Sequence, residues 1–399
     1  MSRVAFFSTL ENGSWGGSEE LWSRAALELN QLGHDVVASV GGSVPVADQV
    51  QRLSLAGIRV HLRDSKVTAS HTGIITRLNR ALRNTAPAQA PQQSEANDWS
   101  LVNAWLMSVK PDFVLISQSF LTDGYTIREA CRHNRVPYAV LVQSADDHVW
   151  HSVDLIPAVA AQFEGAAACF CVSGNMLKFM RRSLAAPLTN AEIVYNPMHD
   201  SIKGPILPFP APMERVKLAC VARLECSQKG QDLLIELMAD PKWRDRPFSI
   251  SLFGSGPDEA HLRRLLNLFG SPRVELCGPA HDIQQVWKEH HALILPSRYE
   301  GMPLAVIEAM RCGRPCIVTD VMGSAELIEE GVSGFVAAAP TVKMLDIALE
   351  RAWQARDQWP SIGQRAFDTI RARLPEDAGA AFALKIAACI QESDTNVTR

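Results

Sequence analysis

The stretch "ALILPSRYEGMPLAVIEAMRCG", residues 292–313, decides how this chain is read. Its first four residues are apolar and stop at Pro296, as a buried parallel strand does. A polar loop follows, and then Pro303 opens a second apolar run that Gly313 can end. Proline suits a first helical position, where its missing N–H would have no partner anyway. The stretch is therefore strand, loop and helix, with the loop at the strand's C-terminal end. Two acids eight positions apart on one helix would lie about 80° apart around its axis. Glu300 and Glu308 thus do not share a face: Glu300 falls on the loop and Glu308 about a turn and a half into the helix. There they can grip different parts of one ligand. The unpaired first-turn amides around Leu304 and Ala305 point toward it, which suits anionic or polyhydroxylated groups. The alternative is one capping acid and one solvated helical acid.

The same alternation extends in both directions. "VKLACVAR", "FSISLFG" and "RVELCG" read as strands. Between them "GQDLLIELMAD" and "PDEAHLRRLLNLFG" read as helices, the second with Pro257 near its first turn and Gly270 at its end. At the start, "RVAFFS" is a strand, "TLENGSWGGS" a glycine-rich loop and "EELWSRAALELNQLG" a helix with Leu21, Ala25, Leu29 and Leu32 at helical spacing. Ser18 is the expected N-cap, Glu19 and Glu20 suit the positive helix end, and Gly33 is the stop. "HDVVASV", "IRVHLR", "DFVLIS", "YAVLVQS" and "ACFCVS" are further strands. Strands and helices in this order imply two doubly wound α/β domains with mostly parallel sheets and a cleft at the strands' C-terminal ends. The expected division is residues 1–200, a Pro-rich connection at 201–214 (Pro205, Pro208, Pro210, Pro212), a second domain at 215–370 and a tail at 371–399. Residues 84–98, without periodicity, read as a surface loop.

With 399 residues, 47% hydrophobic and 21% charged, the composition is that of a soluble globular protein of two or three domains. A net charge of -4 lacks the basic surplus of a bulk nucleic-acid binder. The nine cysteines are scattered without a CxxC pair, as expected for buried free thiols in a reducing compartment. The opening residues do not read as a signal peptide, and the longest apolar stretch, 155–172, carries Gln162 and Glu164 near its centre. A cytoplasmic location is expected, with peripheral contact at the inner membrane face as an option.

Further chemistry-bearing residues lie around the expected cleft. Arg223 and Lys229 fall between a strand end and a helix, where two cations can clamp a diphosphate or remain solvated. Gly13, Gly16 and Gly17 permit close approach of backbone to a ligand, although the loop is not GxGxxG and no acid ends the second strand. "DDHVWH" (Asp146, Asp147, His148, His151) fits no zinc spacing and reads as a polar acceptor loop. His290 and His291 close a helix, where capping or exposure suffices. "HTGIITRLNRALR", 71–83, is helical with Arg77, Arg80 and Arg83 on its polar side. It is either a solvated face or a contact for anionic lipid or a lipid-linked acceptor.

Together "SRYEGMPLAVIEAMRCGRPCIVTDVMGSAELIEEGVSGFV", "VARLECSQKGQDLL", "LFGSGPDEAHLRRLL", "GSWGGSEE" and "VYNPM" resemble family 4 of the glycosyltransferases, closely over 216–340 and more loosely before. The resemblance implies the GT-B architecture and retaining transfer of a sugar from a nucleotide-diphosphate donor to a carbohydrate or lipid-linked acceptor. It implies that Glu300 contacts the donor sugar, Glu308 the ribose, and Arg223 and Lys229 the diphosphate. The segment Gly301, Met302, Pro303 and Leu304 would meet sugar and phosphate, and Gly16 and Gly17 would line the opposite wall. No metal or other cofactor is implied, and the C-terminal helix would cross back onto the first domain. Two departures stand out. Five residues separate Arg223 from Lys229, one more than the commonest family spacing, which implies a bulged loop. Gln143 stands where many members carry histidine, leaving Asp147 or His148 as acceptor-side alternatives. A catalytically silent sugar-nucleotide-binding assembly protein and a GT-B-type nucleotide-sugar epimerase are the competing readings.

Overall fold

The structure is a computed structural model that describes residues 1–10, 15–42, 48–63, 92–150, 152–211 and 215–397. The apolar runs form parallel strands buried on both faces, as sheets with helices on either side require. In the N-terminal domain these are β1 (Arg3–Ser8), β2 (Asp35–Gly41), β3 (Arg59–Arg63), β4 (Phe113–Gln118), β5 (Tyr138–Val142), β6 (Ala168–Cys171) and β7 (Ala191–Ile193). Their order is β3-β2-β1-β4-β5-β6-β7, with Ala5 of β1 opposite both Val37 and Val114. The second sheet contains β8 (Val216–Val221), β9 (Phe248–Phe253), β10 (Val274–Gly278), β11 (Ala292–Leu295), β12 (Cys316–Thr319) and β13 (Gly334–Ala337), ordered β10-β9-β8-β11-β12-β13. Strand order reverses at β1/β4 and again at β8/β11. Such switch points leave a crevice at the strands' C-terminal ends. The two crevices face each other along the seam between the domains.

The first helix, Gly17–Gln31, buries Leu21, Trp22, Ala25 and Leu29. Its N-cap is Gly16, two residues before the expected Ser18, and Leu32 is exposed because it already belongs to the C-cap. Extended backbone at Gly16 starts the helix early and places the Ser18 hydroxyl inside the first turn. The expected loop at 84–98 also needs correction: a helix, Gln92–Val109, occupies its second half. Val102, Trp105, Leu106 and Val109 anchor that helix in the core, so its polar first turns are carried by packing further along. Residues 71–83, with their three arginines, lie outside the described residues.

The connection between the domains lies against the second one. Buried Arg314 donates to Trp287 O at 2.7 Å and to Pro208 O at 2.7 Å, and its guanidinium stacks over Phe209. Arg311 donates to the carbonyls of Lys203 and Gly204. His290 and His291 are buried, not solvent-exposed: His290 Nδ1 bonds Val286 O, and His291 Nδ1 accepts from the Lys217 amide. Burial depresses both imidazole pKa values. The last helix, Ala378–Val397, lies on the first: Gly379 sits against Arg24, Phe382 meets Phe170 edge-on at 5.0 Å, and Lys385 pairs with Glu192. All nine cysteines are free, and seven are buried. Among the described residues no helix is long and apolar enough to cross a membrane.

Candidate active site

After β11 the chain runs through Pro296 to Glu300, and the helix Leu304–Arg311 begins behind Pro303. Pro303 is the N-cap and not the first helical residue, so the helix begins one position later than expected, and Gly313 (φ +72°) follows the C-cap. Glu300 is 4% exposed. Its Oε1 accepts from Lys229 Nζ at 2.7 Å and from Ser297 Oγ at 2.7 Å. This pair unites acid and base residues 71 positions apart in sequence. Ser297 is a site residue that the sequence reading did not single out.

The loop between Arg223 and Lys229 absorbs its extra residue in a helical turn, Cys226–Lys229, which ends at Gly230 (φ +67°). A β-carbon at Gly230 would overlap the Pro296 carbonyl, so only glycine lets this turn approach the end of β11. Arg298 locks the approach with a bidentate pair to Asp232 at 2.7–2.8 Å. Arg223 and Lys229 are therefore not two free cations. Arg223 contacts Glu225 Oε2 at 2.5 Å and Gln228 Oε1 at 3.0 Å, while Lys229 is committed to Glu300.

Glu308 is half-buried on the helix, and burial pushes its carboxyl up to about 7. Among the described residues no side chain donates to it. The seam's other wall is close. The Ala145 amide donates to Glu300 O at 3.1 Å, and Gly301 sits so near the Gln143 carbonyl that a β-carbon would overlap it. Gly323 donates to Gly301 O at 2.8 Å. A β-carbon on Gly17 would lie 2.9 Å from Leu304 Cγ, so the glycine loop meets the helix start directly. Gly16 beside it is exposed; Gly13 lies outside the described residues. Met302 and Pro303 are buried, and Asn196 of "VYNPM" donates to Met302 O at 3.1 Å.

Gln143 is 5% exposed and donates to Ser18 O at 3.0 Å. Its Oε1, the Ser144 hydroxyl and Asn196 Oδ1 are buried at this seam without a partner among the described residues. Such atoms are costly unless a ligand or solvent group satisfies them. Glu19, at the base of the glycine loop, accepts from Ser8 Oγ at 3.2 Å and from Trp22 Nε1, and burial pushes its carboxyl up to about 7. In "DDHVWH", Asp147 pairs with Arg182 at 2.5 Å, and the His148 amide donates to Asp146; His151 lies outside the described residues. Among the described residues no group of three or more His, Cys, Asp or Glu could hold a metal ion. The assembled site thus offers a cation paired to a carboxylate, a second carboxyl, free helix-start amides and orphaned acceptors, the set that a charged and hydroxylated ligand would use.

Residues 215–354 match the family model described as "Glycosyl transferases group 1". The lipopolysaccharide 1,6-galactosyltransferase of Salmonella typhimurium is 31% identical over 168 residues, 41% of this chain and 45% of that protein. The alpha-D-kanosaminyltransferase of Streptomyces kanamyceticus is 31% identical over 128 residues, 31% of this chain and 33% of that protein. The chain thus matches less than half the length of these curated relatives. The crystal structure of Anabaena Alr3699/HepE in complex with UDP and glucose superposes with a TM-score of 0.71 at 15% identity, covering 97% of this chain and all of that one. This chain has the GT-B fold, and its C-terminal domain carries the group 1 glycosyl transferase match.

Proposed function

We propose that the chain is a retaining glycosyltransferase, moving a sugar from a nucleotide-diphosphate sugar to a carbohydrate or lipid-linked acceptor in polysaccharide or glycoconjugate synthesis. The observation that carries this reading is the Lys229–Glu300 pair, held at the switch point of the second sheet beside the helix start at Leu304. A diphosphate entering between Arg223 and Lys229 would draw Lys229 from Glu300 onto phosphate oxygens. Glu300 would then accept hydrogen bonds from the donor sugar's hydroxyls. Glu308, half-buried and with no side-chain donor among the described residues, would take the ribose hydroxyls, which would favour its ionised form. The amides of Gly301 to Leu304 would meet sugar and phosphate, and Gly16 and Gly17 would close the opposite wall against water.

As the bond from the anomeric carbon to the diphosphate breaks, negative charge grows on the departing oxygen. The two cations and the helix start stabilise that charge in a water-poor seam, so no metal enters the proposal. The donor would bind mainly to residues 215–370 and the acceptor mainly to residues 1–200, at the cytoplasmic side of a membrane. The names of the relatives support sugar transfer, and that of the Salmonella protein supports a glycoconjugate product. They do not favour the silent-binder or epimerase alternative.

The direct test incubates the protein with UDP-, GDP- and ADP-hexoses and follows nucleotide release and the first-formed free sugar by proton NMR. One donor class should release its nucleotide and give the sugar with the donor's own anomeric configuration, and Glu300→Ala should lose the release. Inverted sugar contradicts retention. Release that is unchanged in Glu300→Ala contradicts the assignment.

A further inference from the structure

A cavity of about 360 Å³ opens on the same seam, where the helix Gly174–Leu184 faces the turn after β12. That volume lies at the lower end of the range of roughly 300–1,000 Å³ for small-molecule sites. Lys178 and Arg182 stand one turn apart on its helical wall, Asp147 reaches in from its loop, and Asp320 faces them from the second domain. Arg182 is paired with Asp147. Lys178 donates only to Asn175 Oδ1, at a long 3.4 Å, and Asp320 has no side-chain partner among the described residues. Asn175 is itself fixed across the seam: its amide donates to Glu326 at 2.9 Å and its Nδ2 to Met322 O at 3.2 Å. Met322 holds φ +38°, a region few non-glycine residues adopt, so this wall is held in a strained shape.

The charges decide the ligand class. A phosphate would satisfy Lys178 and Arg182 but would face the carboxylates of Asp147 and Asp320. A hydroxyl both donates and accepts, so a ring bearing several of them satisfies all four groups at once. The cavity also abuts the transfer site, because Met322 precedes Gly323, which is bonded to Gly301. We infer that this cavity is the subsite that reads a hydroxylated sugar ring of the acceptor, with Lys178 and Asp320 as its specificity-determining residues. The inference rests on the transferase reading above.

The test is saturation-transfer NMR with methyl α-glucoside, methyl α-galactoside and methyl α-mannoside on the protein saturated with whichever of UDP, GDP and ADP stabilises it, with inorganic phosphate as competitor. At least one glycoside should bind, and Lys178→Ala and Asp320→Asn should each weaken it about tenfold. Phosphate should not displace it. The thermal shift produced by that nucleotide should be unchanged in both variants. If no glycoside binds, if both polar substitutions leave binding intact, or if phosphate displaces the sugar, the subsite assignment is overturned while nucleotide binding stands. A wild-type protein that binds a glycoside but no nucleotide keeps the subsite and removes the transferase reading beneath it.

Discussion

Replacing Lys229 by alanine isolates the interaction on which the proposed site depends. Glu300 is 4% exposed, and the Lys229 side chain retains 16% of its exposure. Removing one member of a buried ion pair typically costs about 3–5 kcal/mol, because the remaining charge has lost its partner without regaining water. The residual exposure of Lys229 and the Ser297 hydrogen bond place this case at the low end, about 3 kcal/mol. For domains of this size that corresponds to a melting temperature lower by roughly 6–12 °C. Glu300→Gln in the Lys229→Ala background removes the stranded charge and still lets Ser297 donate, so it should restore about 2 kcal/mol. Differential scanning calorimetry of wild type, both single variants and the double variant measures this coupling. A Lys229→Ala protein melting within 1–2 °C of wild type on the scale of about 2–4 °C per kcal/mol, or a double variant no better than additive, would refute the reasoning.

Three other outcomes follow from neighbouring contacts. Gly301→Ala drives a methyl group into the Gln143 carbonyl, so it should lower the melting temperature and weaken nucleotide binding more than tenfold; calorimetric titration showing wild-type affinity would contradict the close approach. Glu19 is held protonated by burial, its pKa raised from 4.5 to about 7, so it favours the folded state fully below pH 4.5. That contribution, on the order of 3 kcal/mol, is lost as pH rises through 7. Glu19→Gln should flatten the fall in urea midpoint between pH 5 and pH 8; an unchanged slope would remove Glu19 as its source. Arg314→Ala strands the carbonyls of Trp287, Pro208 and Cys312, and should cost about 3 kcal/mol in urea unfolding. A cost below about 1 kcal/mol would show that the connection is not pinned there.

What was legible in the sequence was local. Pro296, Pro303 and Gly313 bracket the β11 loop and its helix, and the apolar runs name most strands, because both signals lie within a few residues of what they specify. The three-residue edge strand β7 carries too little pattern to announce itself. The helix Gln92–Val109 hides behind a polar first half that only tertiary packing makes helical. The candidate site was legible as residues but not as partnerships. Nothing local reveals that Lys229 reaches Glu300, that Arg223 leans on Glu225, or that Gly301 slides beneath the Gln143 carbonyl. The burial of Arg311 and Arg314 is not written locally because their carbonyl partners belong to distant segments, and that of His291 is not because the Lys217 amide it accepts from lies 74 residues away. Glu19 looked like a helix-end acid because its burial depends on Trp22 and β1.

The measurement closest to the central claim is thermal stabilisation by UDP, GDP and ADP and their sugar conjugates, on wild type and Arg223→Ala. A nucleotide at a hundred times its dissociation constant stabilises by about 2.7 kcal/mol, roughly 5–11 °C here. One nucleotide class should raise the melting temperature of the wild type, and Arg223→Ala should lose most of that rise. No shift with any nucleotide at millimolar concentration, or an undiminished shift in Arg223→Ala, would contradict a diphosphate site between Arg223 and Lys229.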